Sequence, residues 1–132
     1  DDNALFTDGP GLGAPPQNVQ LQTDSYLLDY LGGGFDLVYV ADAQGLPPAI
    51  SQAVAALQQQ GVPLKLTAIS AEAKHIEGAQ QTLHDPQQRF AERYAVQAGG
   101  AYLFRPDQHI CARWSQLNAA QIGQSLKKAL MQ

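Results

Sequence analysis

Two short apolar runs joined by Pro106-Asp107-Gln108 constrain the fold more than any other feature of the sequence. Residues 101–105 and 109–114 are rich in aromatic and aliphatic side chains, a composition typical of β-strands. A proline at the second position of a type I turn has its φ angle already set, and an aspartate is accepted at the third position. The segment therefore predicts a β-hairpin.

Alternation along the hairpin predicts which side chains share a face. Tyr102 and Phe104 lie on one face of the first strand, and Leu103 lies on the other. Strict alternation in the second strand groups Ile110, Ala112 and Trp114 on one face, and His109, Cys111 and Arg113 on the other. Since both faces of the first strand carry apolar side chains, we expect helices to cover both sides of the sheet.

The composition fits one domain and argues against a nucleic-acid or membrane partner. A chain of 132 residues is the size of a single domain with one core. Twelve acidic and eight basic side chains give a net charge of −4, so no basic surface for nucleic acid or anionic lipid is expected. No apolar run approaches the roughly 18 residues of a membrane span, and no signal peptide is recognisable. Because Asp1 replaces an initiator Met, we expect a fragment or a processed product.

Cys111 is the only cysteine, which excludes a disulfide within the chain and a multi-cysteine metal site. A lone thiol favours a reducing compartment, so we expect a cytoplasmic protein. We interpret Cys111 as a small apolar strand residue, because free cysteines are commonly buried. His109 and Cys111 supply only two metal ligands, and His75 and His84 would have to converge on them. No metal site is therefore predicted.

The chain begins with an arm rather than with an element of the core. Turn-forming residues dominate residues 1–22, which predicts an extended linker or arm ahead of a domain over residues 23–132. Within the arm, Val19 and Leu21 predict one short edge strand against the sheet. Residues 25–31 then predict a short helical turn that ends at a run of three glycines.

The next forty residues predict a strand, a helix and a second strand. Residues 35–41 form a β-branched and aromatic run typical of a buried strand. Pro47-Pro48 begins a helix that extends to about Gln60 and stops at Gly61. Residues 64–70 form the next strand, so this βαβ unit predicts two parallel strands with a right-handed crossover.

The signals weaken after the second strand. Residues 71–83 fit a loop with a helical turn as well as they fit a helix. Asp85-Pro86 predicts the N-cap and first position of a second helix, with Phe90 and Tyr94 on one face. A last helix is predicted to begin at Asn118. Its apolar stripe is Ile122, Leu126, Ala129 and Leu130, and its C-terminal cations are Lys127 and Lys128.

This order of elements predicts an α/β domain with a mixed sheet of four to five strands and helices on both faces. Its specific motifs are Pro10-Gly11 through Ala14-Pro15, residues 27–35 and, above all, residues 102–114. Residues 91–114 resemble the last third of a thioredoxin fold. The three motifs together resemble, more closely, the C-terminal domain of flavin-dependent aromatic hydroxylases. The similarity is to the phenol hydroxylase and hydroxyphenylpropionate hydroxylase type.

The resemblance implies a noncatalytic domain of a larger monooxygenase. Such a parent enzyme uses FAD, NAD(P)H and O₂ to hydroxylate an aromatic ring, and its other domains are the expected partners, with a homodimer as a further one. No segment of this chain matches the GxGxxG dinucleotide fingerprint, and residues 9–13 lack the strand before it and the helix after it. We therefore expect neither cofactor to bind within this chain.

Two departures from redox thioredoxins exclude disulfide exchange. Where those proteins place CxxC, this chain has residues 41–46 without a thiol. Where they place a cis-proline, it has residues 98–101, Ala-Gly-Gly-Ala, for which a trans link is expected because a cis bond costs roughly 3 kcal/mol without proline. Two other functions stay open: a stand-alone thiol-dependent redox protein that uses Cys111, and a degenerate thioredoxin-like adaptor.

The hairpin also supplies the candidate interface residues Tyr102, Arg105, Arg113 and Trp114. The two arginines fit pairing with nearby carboxylates as well as they fit anchoring against another domain or subunit. Trp114 is expected in the core or in an interface. We interpret Asp107 mainly as a turn residue, because no second carboxylate is paired with it in the sequence for general acid–base catalysis. No catalytic residue is predicted.

Overall fold

The computed structural model describes residues 9–72, 74–117, 127, 128 and 130, and its main feature is a five-stranded mixed sheet. The elements in chain order are β1 (Gln20–Gln22), β2 (Ser25–Tyr26), a 3-10 helix (Leu27–Tyr30), β3 (Phe35–Val40), α1 (Pro48–Gln59), β4 (Leu64–Ser70), β5 (Gln81–His84), α2 (Arg89–Tyr94), β6 (Ala101–Phe104) and β7 (Ile110–Trp114). The strand order is β5-β4-β3-β6-β7, and β1 pairs with β2 separately. The predicted α/β class is confirmed, and the arrangement is consistent with a thioredoxin-like fold.

Strand directions agree with the predicted βαβ unit and hairpin. β3 and β4 are parallel, in a register that runs from Phe35 opposite Leu64 to Val40 opposite Ile69. β6 is antiparallel to both β3 and β7. α1 connects the two parallel strands, with a proline in its first turn, and it ends just before Gly61, whose φ of +91° few other residues adopt.

The two faces of the sheet carry separate apolar cores, with α1 packed on one and α2 on the other. On one face, Ile50, Val54 and Leu57 of α1 pack against alternate residues of β3, β4, β6 and β7. On the other face, Phe90 and Tyr94 of α2 pack against the remaining alternate residues. The prediction of helices on both faces is confirmed. The reason is that both faces of the central strands are apolar, and a single layer of helices covers only one of them.

The predicted alternation along β7 is wrong at its first residue. Leu103 pairs with Ala112 but Phe104 pairs with Ile110, so Cys111 is the extra residue of a β-bulge. Ile110 consequently packs in the core under α2, whereas Ala112 and its neighbour two residues on pack in the core under α1. A bulge shifts the side-chain period by one residue, and nothing in the local apolar pattern announces it.

Residues 71–83, which fit a loop or a helix by sequence, end in a strand, and the described residues before it (71, 72 and 74–80) form no helix. β5 occupies the end of this segment and continues to His84, pairing in parallel with β4 from Thr67 opposite Gln81 onward. Only Leu83 of this strand is buried. A short edge strand with a single buried side chain gives too weak a period to be recognised from sequence.

The second helix begins later than predicted. Residues 85–88 form a turn in which the Gln88 amide donates to the Asp85 carbonyl at 3.0 Å, and Gln88 has a φ of +54°. Asp85 nevertheless caps α2, because its carboxylate accepts from the amides of Arg89 at 3.0 Å and Phe90 at 2.9 Å. Pro86 therefore lies in the turn and not in the first turn of the helix.

The arm follows the sheet, but not through the predicted edge strand. Val19 and Leu21 are buried in the apolar core on the α2 side of the sheet, and β1 pairs with β2 instead of with the main sheet. Pairing to the main sheet comes earlier: the Gly13 amide donates to the Ile110 carbonyl at 2.8 Å, and the Ile110 amide donates to the Ala14 carbonyl at 3.2 Å. The domain boundary at residue 22 stays a prediction.

The predicted C-terminal helix lies mostly outside the described residues. Lys127, Lys128 and Leu130 are helical, and Leu130 packs against the core on the α1 side. Within the described part of the chain, no helix is long and apolar enough to cross a membrane.

A substitution at Gly100 tests how tightly the bend before β6 is packed. A Cβ at this position would contact the Val96 side chain and approach the carbonyl oxygens of Trp114 and Ser115, both at 2.9 Å. We expect Gly100→Ala to lower the free energy of unfolding by about 1–3 kcal/mol, because two of these neighbours are backbone and cannot move aside. Urea denaturation measures the change.

The control for that substitution is Gly11→Ala, because no atom lies within 4 Å of the Cβ position at Gly11. It should change the free energy of unfolding by no more than about 0.5 kcal/mol. Equal stability of Gly100→Ala and the unmodified chain would contradict the close packing described here.

Candidate functional site

Tyr102, one of the four candidate interface residues, lies in the middle of the core and has no exposed surface. Its ring packs edge-on against Tyr94 at a centroid distance of 4.9 Å and stacks with Phe104 at 6.2 Å. Its hydroxyl donates to the Tyr94 carbonyl at 2.6 Å. The predicted interface role of Tyr102 is corrected to a core role, because β6 is covered on both faces.

Arg113 is also inside the protein, with a relative exposure of 6%. Its Nη1 donates to the Pro10 carbonyl at 2.9 Å and to the Tyr102 hydroxyl at 3.3 Å. A buried guanidinium needs such partners, since an uncompensated buried charge is strongly destabilising. Arg113 therefore anchors the arm of its own chain rather than a surface that another domain contacts.

Trp114 is buried as well, in the core under α1. Its relative exposure is 4%, which agrees with the core alternative of the sequence interpretation. The bulge at Cys111 explains why Ile110 joins the face of Arg113 and not the face of Trp114. Neither residue offers a surface in this chain.

Arg105 alone of the four is exposed, and its guanidinium pairs within the hairpin turn. Nε and Nη2 lie 3.2 Å and 3.1 Å from the two carboxylate oxygens of Asp107. The His109 amide, followed by the Arg105 guanidinium, lowers the pKa of Asp107. An exposed pair of this kind adds little to stability, so its main effect is to order the turn.

Cys111 occupies the bulge of β7 and is half-buried. Burial raises the pKa of its thiol, and the charge of Arg105 only partly opposes this effect. Reactive cysteines have a lowered pKa, usually beside a helix N-terminus or a cation. The position therefore disfavours a thiolate nucleophile.

The three histidines are held by different parts of the chain. His84 Nδ1 lies 2.7 Å from the side-chain amide nitrogen of Gln22, and His75 Nδ1 lies 3.4 Å from the Thr82 hydroxyl. His109 lies beside Asp107 in the hairpin turn. In residues 9–72 and 74–117 the structure brings together no group of three His, Cys, Asp or Glu side chains fit for a metal ion.

Sequence reasoning missed the network that joins the arm to the sheet. The Tyr94 hydroxyl donates to the Gln17 carbonyl at 2.6 Å and accepts from the Gln17 amide at 3.0 Å. Burial raises the pKa of Tyr94 to about 12, against the opposing effect of the Gln17 hydrogen bond. The spacing of Phe90 and Tyr94 indicated a packed face, but no local signal linked that face to a segment 77 residues away.

The position that would hold CxxC in a redox thioredoxin is a tight turn. The Gly45 amide donates to the Asp42 carbonyl at 3.0 Å, and the Gln44 amide donates to the Asp42 carboxylate at 2.9 Å. No helix begins here, since α1 starts only at Pro48. The turn thus lacks both the thiols and the helix N-terminus on which disulfide exchange depends.

Comparison with known proteins gives matches among solved structures only. No protein-family model and no curated protein matches the chain. The flavin-dependent monooxygenase PieE, solved with FAD and substrate, matches 100% of this chain with 22% of its own, at a TM-score of 0.66 and 23% identity. Aklavinone-11 hydroxylase, solved with FAD and aklavinone, matches 91% of this chain with 20% of its own, at 0.60 and 27%.

A third structure, RebC-10x with bound 7-carboxy-K252c, matches 89% of this chain with 18% of its own, at a TM-score of 0.58 and 25% identity. This chain shares its fold with one part of flavin-dependent hydroxylases. It spans about a fifth of the length of the structures it matches. The resemblance inferred from the hairpin motif is confirmed by these neighbours, which fit a domain of such an enzyme.

The raised pKa of Tyr94 predicts a loss of folding stability at alkaline pH. Its pKa is about 12 in the folded chain against 10.0 for an unperturbed tyrosine, so the folded state holds the hydroxyl proton more tightly. The stabilisation is complete below pH 10 and is lost as pH rises towards 12, by about 2–3 kcal/mol for this group. Urea denaturation at a series of pH values measures it.

In that series, Tyr94→Phe should show a shallower decline between pH 10 and 12 than the unmodified chain. Some decline remains, because burial also raises the pKa of Tyr102 and Tyr39. Tyr26→Phe is the control, since Tyr26 is 39% exposed, and it should leave the decline unchanged. Equal declines in all three proteins would contradict the assignment.

The raised pKa of Cys111 predicts slow alkylation of the native thiol. At neutral pH, iodoacetamide should modify Cys111 several-fold more slowly in the folded chain than in the chain unfolded in urea. Arg105→Gln should slow the native reaction further, because it removes the charge that favours the thiolate. Mass spectrometry of timed samples measures both rates, and a faster native reaction would support a thiol function.

Proposed function

We propose that this chain is the C-terminal domain of an FAD-dependent aromatic-ring monooxygenase, and that it has no catalytic role of its own. The observation that carries the proposal is the match of up to 100% of the chain to about a fifth of flavin-dependent hydroxylases. In the proposed parent enzyme, the remaining domains bind FAD and NAD(P)H and hydroxylate the substrate. A cytoplasmic location belongs to the same proposal, because a reducing compartment suits a lone thiol.

The described residues do not fit FAD. Dinucleotide sites place a glycine-rich loop between the end of a strand and the start of a helix, so that amides cradle the pyrophosphate. Here residues 9–13 belong to the arm, and Gly13 pairs with the edge of β7. The glycines at 32–34 follow a 3-10 helix and lead into β3, which is the reverse order. Flavin chemistry is accordingly assigned to other domains of the parent.

The proposed role is to stabilise the parent enzyme and to contact its other domains or a second subunit. Two large exposed apolar side chains support it: Leu12 in the arm is 44% exposed, and Tyr26 in β2 is 39% exposed. The buried Arg113 and Tyr94 hold this arm in place through Pro10 and Gln17. Because residues on both sides of Leu12 are anchored, its side chain keeps a defined position for a partner surface.

The flavin content of the chain and of its parent tests the proposal. The purified 132-residue chain should show no visible flavin absorbance and no NADPH oxidation. The coding sequence upstream of Asp1 should contain a GxGxxG fingerprint, and the parent enzyme should bind FAD. Deleting these 132 residues from the parent should leave FAD binding intact and lower the melting temperature.

Each outcome separates the proposal from its alternatives. Stoichiometric FAD on the isolated chain would overturn the noncatalytic assignment. An upstream sequence without a flavin fingerprint would favour a thioredoxin-like adaptor outside any monooxygenase. Rapid alkylation of Cys111 at neutral pH would favour the thiol-dependent alternative.

A further inference from the structure

A cleft of about 530 Å³ lies beyond the C-terminal ends of β3 and β4. Its floor is apolar and is formed by Val40, Ile69, Ala91 and Val96. Polar side chains lie around this floor, among them the amides of Gln88 and Gln97. Ligand-binding clefts have volumes of roughly 300–1,000 Å³ and a mainly apolar lining with a few polar groups, so the cleft has the size and composition of a small-molecule site.

The strand order places this cleft where α/β sheets commonly bind ligands. From β3 the chain adds β4 and β5 on one side of the sheet, and then β6 and β7 on the other. The loops that leave β3 and β4 and the bend that enters β6 meet at one end of the sheet, and residues from all three line the cleft. Open α/β sheets commonly bind ligands outside the carboxyl ends of their strands, and the cleft lies at that end of β3 and β4.

The same topology disfavours an extended peptide as the occupant. β3 is paired with β4 and β6, and β4 is paired with β3 and β5. Neither strand has a free edge to which a peptide adds by main-chain hydrogen bonds. A compact ligand that uses the apolar floor and a few polar groups suits this site better.

The charged side chains around the cleft favour one sign of charge on a ligand. The charged side chains that line it are three carboxylates: Asp42, Glu72 and Asp85. Asp85 is committed to capping α2, and the Asp42 carboxylate also accepts from the Gln44 amide. Glu72 has a charge partner at the rim, since Lys74 Nζ lies 3.3 Å from its carboxylate.

Lys74 lies next to the cleft and brings an ammonium group to one of its lining carboxylates, Glu72. Besides pairing with Glu72, Lys74 Nζ donates to the Ala43 carbonyl at 3.5 Å, so one ammonium group links the loop after β4 to the loop after β3. Both partners of the ion pair are about half exposed, at 50% and 57%. An exposed pair of this kind is weak and can exchange for another cation.

We propose that this cleft binds a small organic cation, an amine or amidine with an apolar body. The apolar body lies on the floor formed by Val40, Ile69 and Val96. The charged group lies at the rim with Asp42 and Glu72, and it takes the place of the Lys74 ammonium. This proposal is independent of the proposed function, because a site for an organic cation requires neither the parent enzyme nor its flavin.

A set of probes that differ in charge tests the proposal on the 132-residue chain. Benzylamine, benzyl alcohol and benzoate have the same ring and carry a positive, no and a negative charge at neutral pH. In ¹H–¹⁵N spectra, benzylamine should shift the amides of Ala41, Ser70 and Gln97 in a saturable manner. Benzyl alcohol should bind more weakly, and benzoate should cause no saturable shift there.

Three variants assign the effect to the rim. Glu72→Gln and Asp42→Asn should each weaken benzylamine binding about two- to fivefold, as expected for one exposed charge contact. Lys74→Gln should strengthen binding, because it removes the competing ammonium group. Asp107→Asn is the charge-matched control, since Asp107 lies in the hairpin turn at the opposite end of the sheet, and it should have no effect.

Glu72 is 57% exposed, so its substitution leaves the core intact even where Asp42→Asn disturbs its turn. Equal affinity for benzylamine and benzyl alcohol would overturn the choice of a cation. Shifts confined to residues outside the cleft, or none at all, would overturn the site. Unchanged affinity in Glu72→Gln and Lys74→Gln would overturn the rim assignment and with it the proposal.

Discussion

The hydroxyl group of Tyr102 is the contact on which the arrangement of the other parts depends. It donates to the Tyr94 carbonyl at 2.6 Å and accepts from Arg113 at 3.3 Å, so it joins the end of α2 to the hairpin. Arg113 continues the connection to the Pro10 carbonyl at 2.9 Å. A buried guanidinium cannot lose these partners without a large cost, and the arm, α2 and the hairpin therefore hold one another in place.

Packing around this network leaves little freedom for the arm. A Cβ at Gly9 would meet the Tyr94 carbonyl oxygen at 2.6 Å and the Tyr102 hydroxyl at 3.1 Å. The glycine therefore permits the close approach that lets Pro10 reach Arg113. Further along, Val19 and Leu21 add apolar contacts to the same core. Residues 9–21 of the arm are thus held against the core by hydrogen bonds and apolar contacts.

Much of the fold was predictable, because its main elements are encoded by local patterns. β3, α1 and β4 appear at the predicted places, since a β-branched run, a proline start and a glycine stop each act within a few residues. The hairpin turn is also local: the Gln108 amide donates to the Arg105 carbonyl at 2.8 Å around Pro106. The errors, by contrast, concern β5, the start of α2 and the bulge at Cys111, where distant partners decide the structure.

By itself, the sequence determined the class of fold, the parallel unit, the hairpin and the lack of thiols for disulfide exchange. Only the tertiary structure decided that Tyr102, Arg113 and Trp114 are internal, while Arg105 is exposed. The physical reason is that exposure depends on what covers each face, and the covering groups come from segments up to about a hundred residues away, as in the pair of Arg113 and Pro10. The cleft beyond β3 and β4 arises in the same way, because strand order brings its walls together from separate parts of the chain.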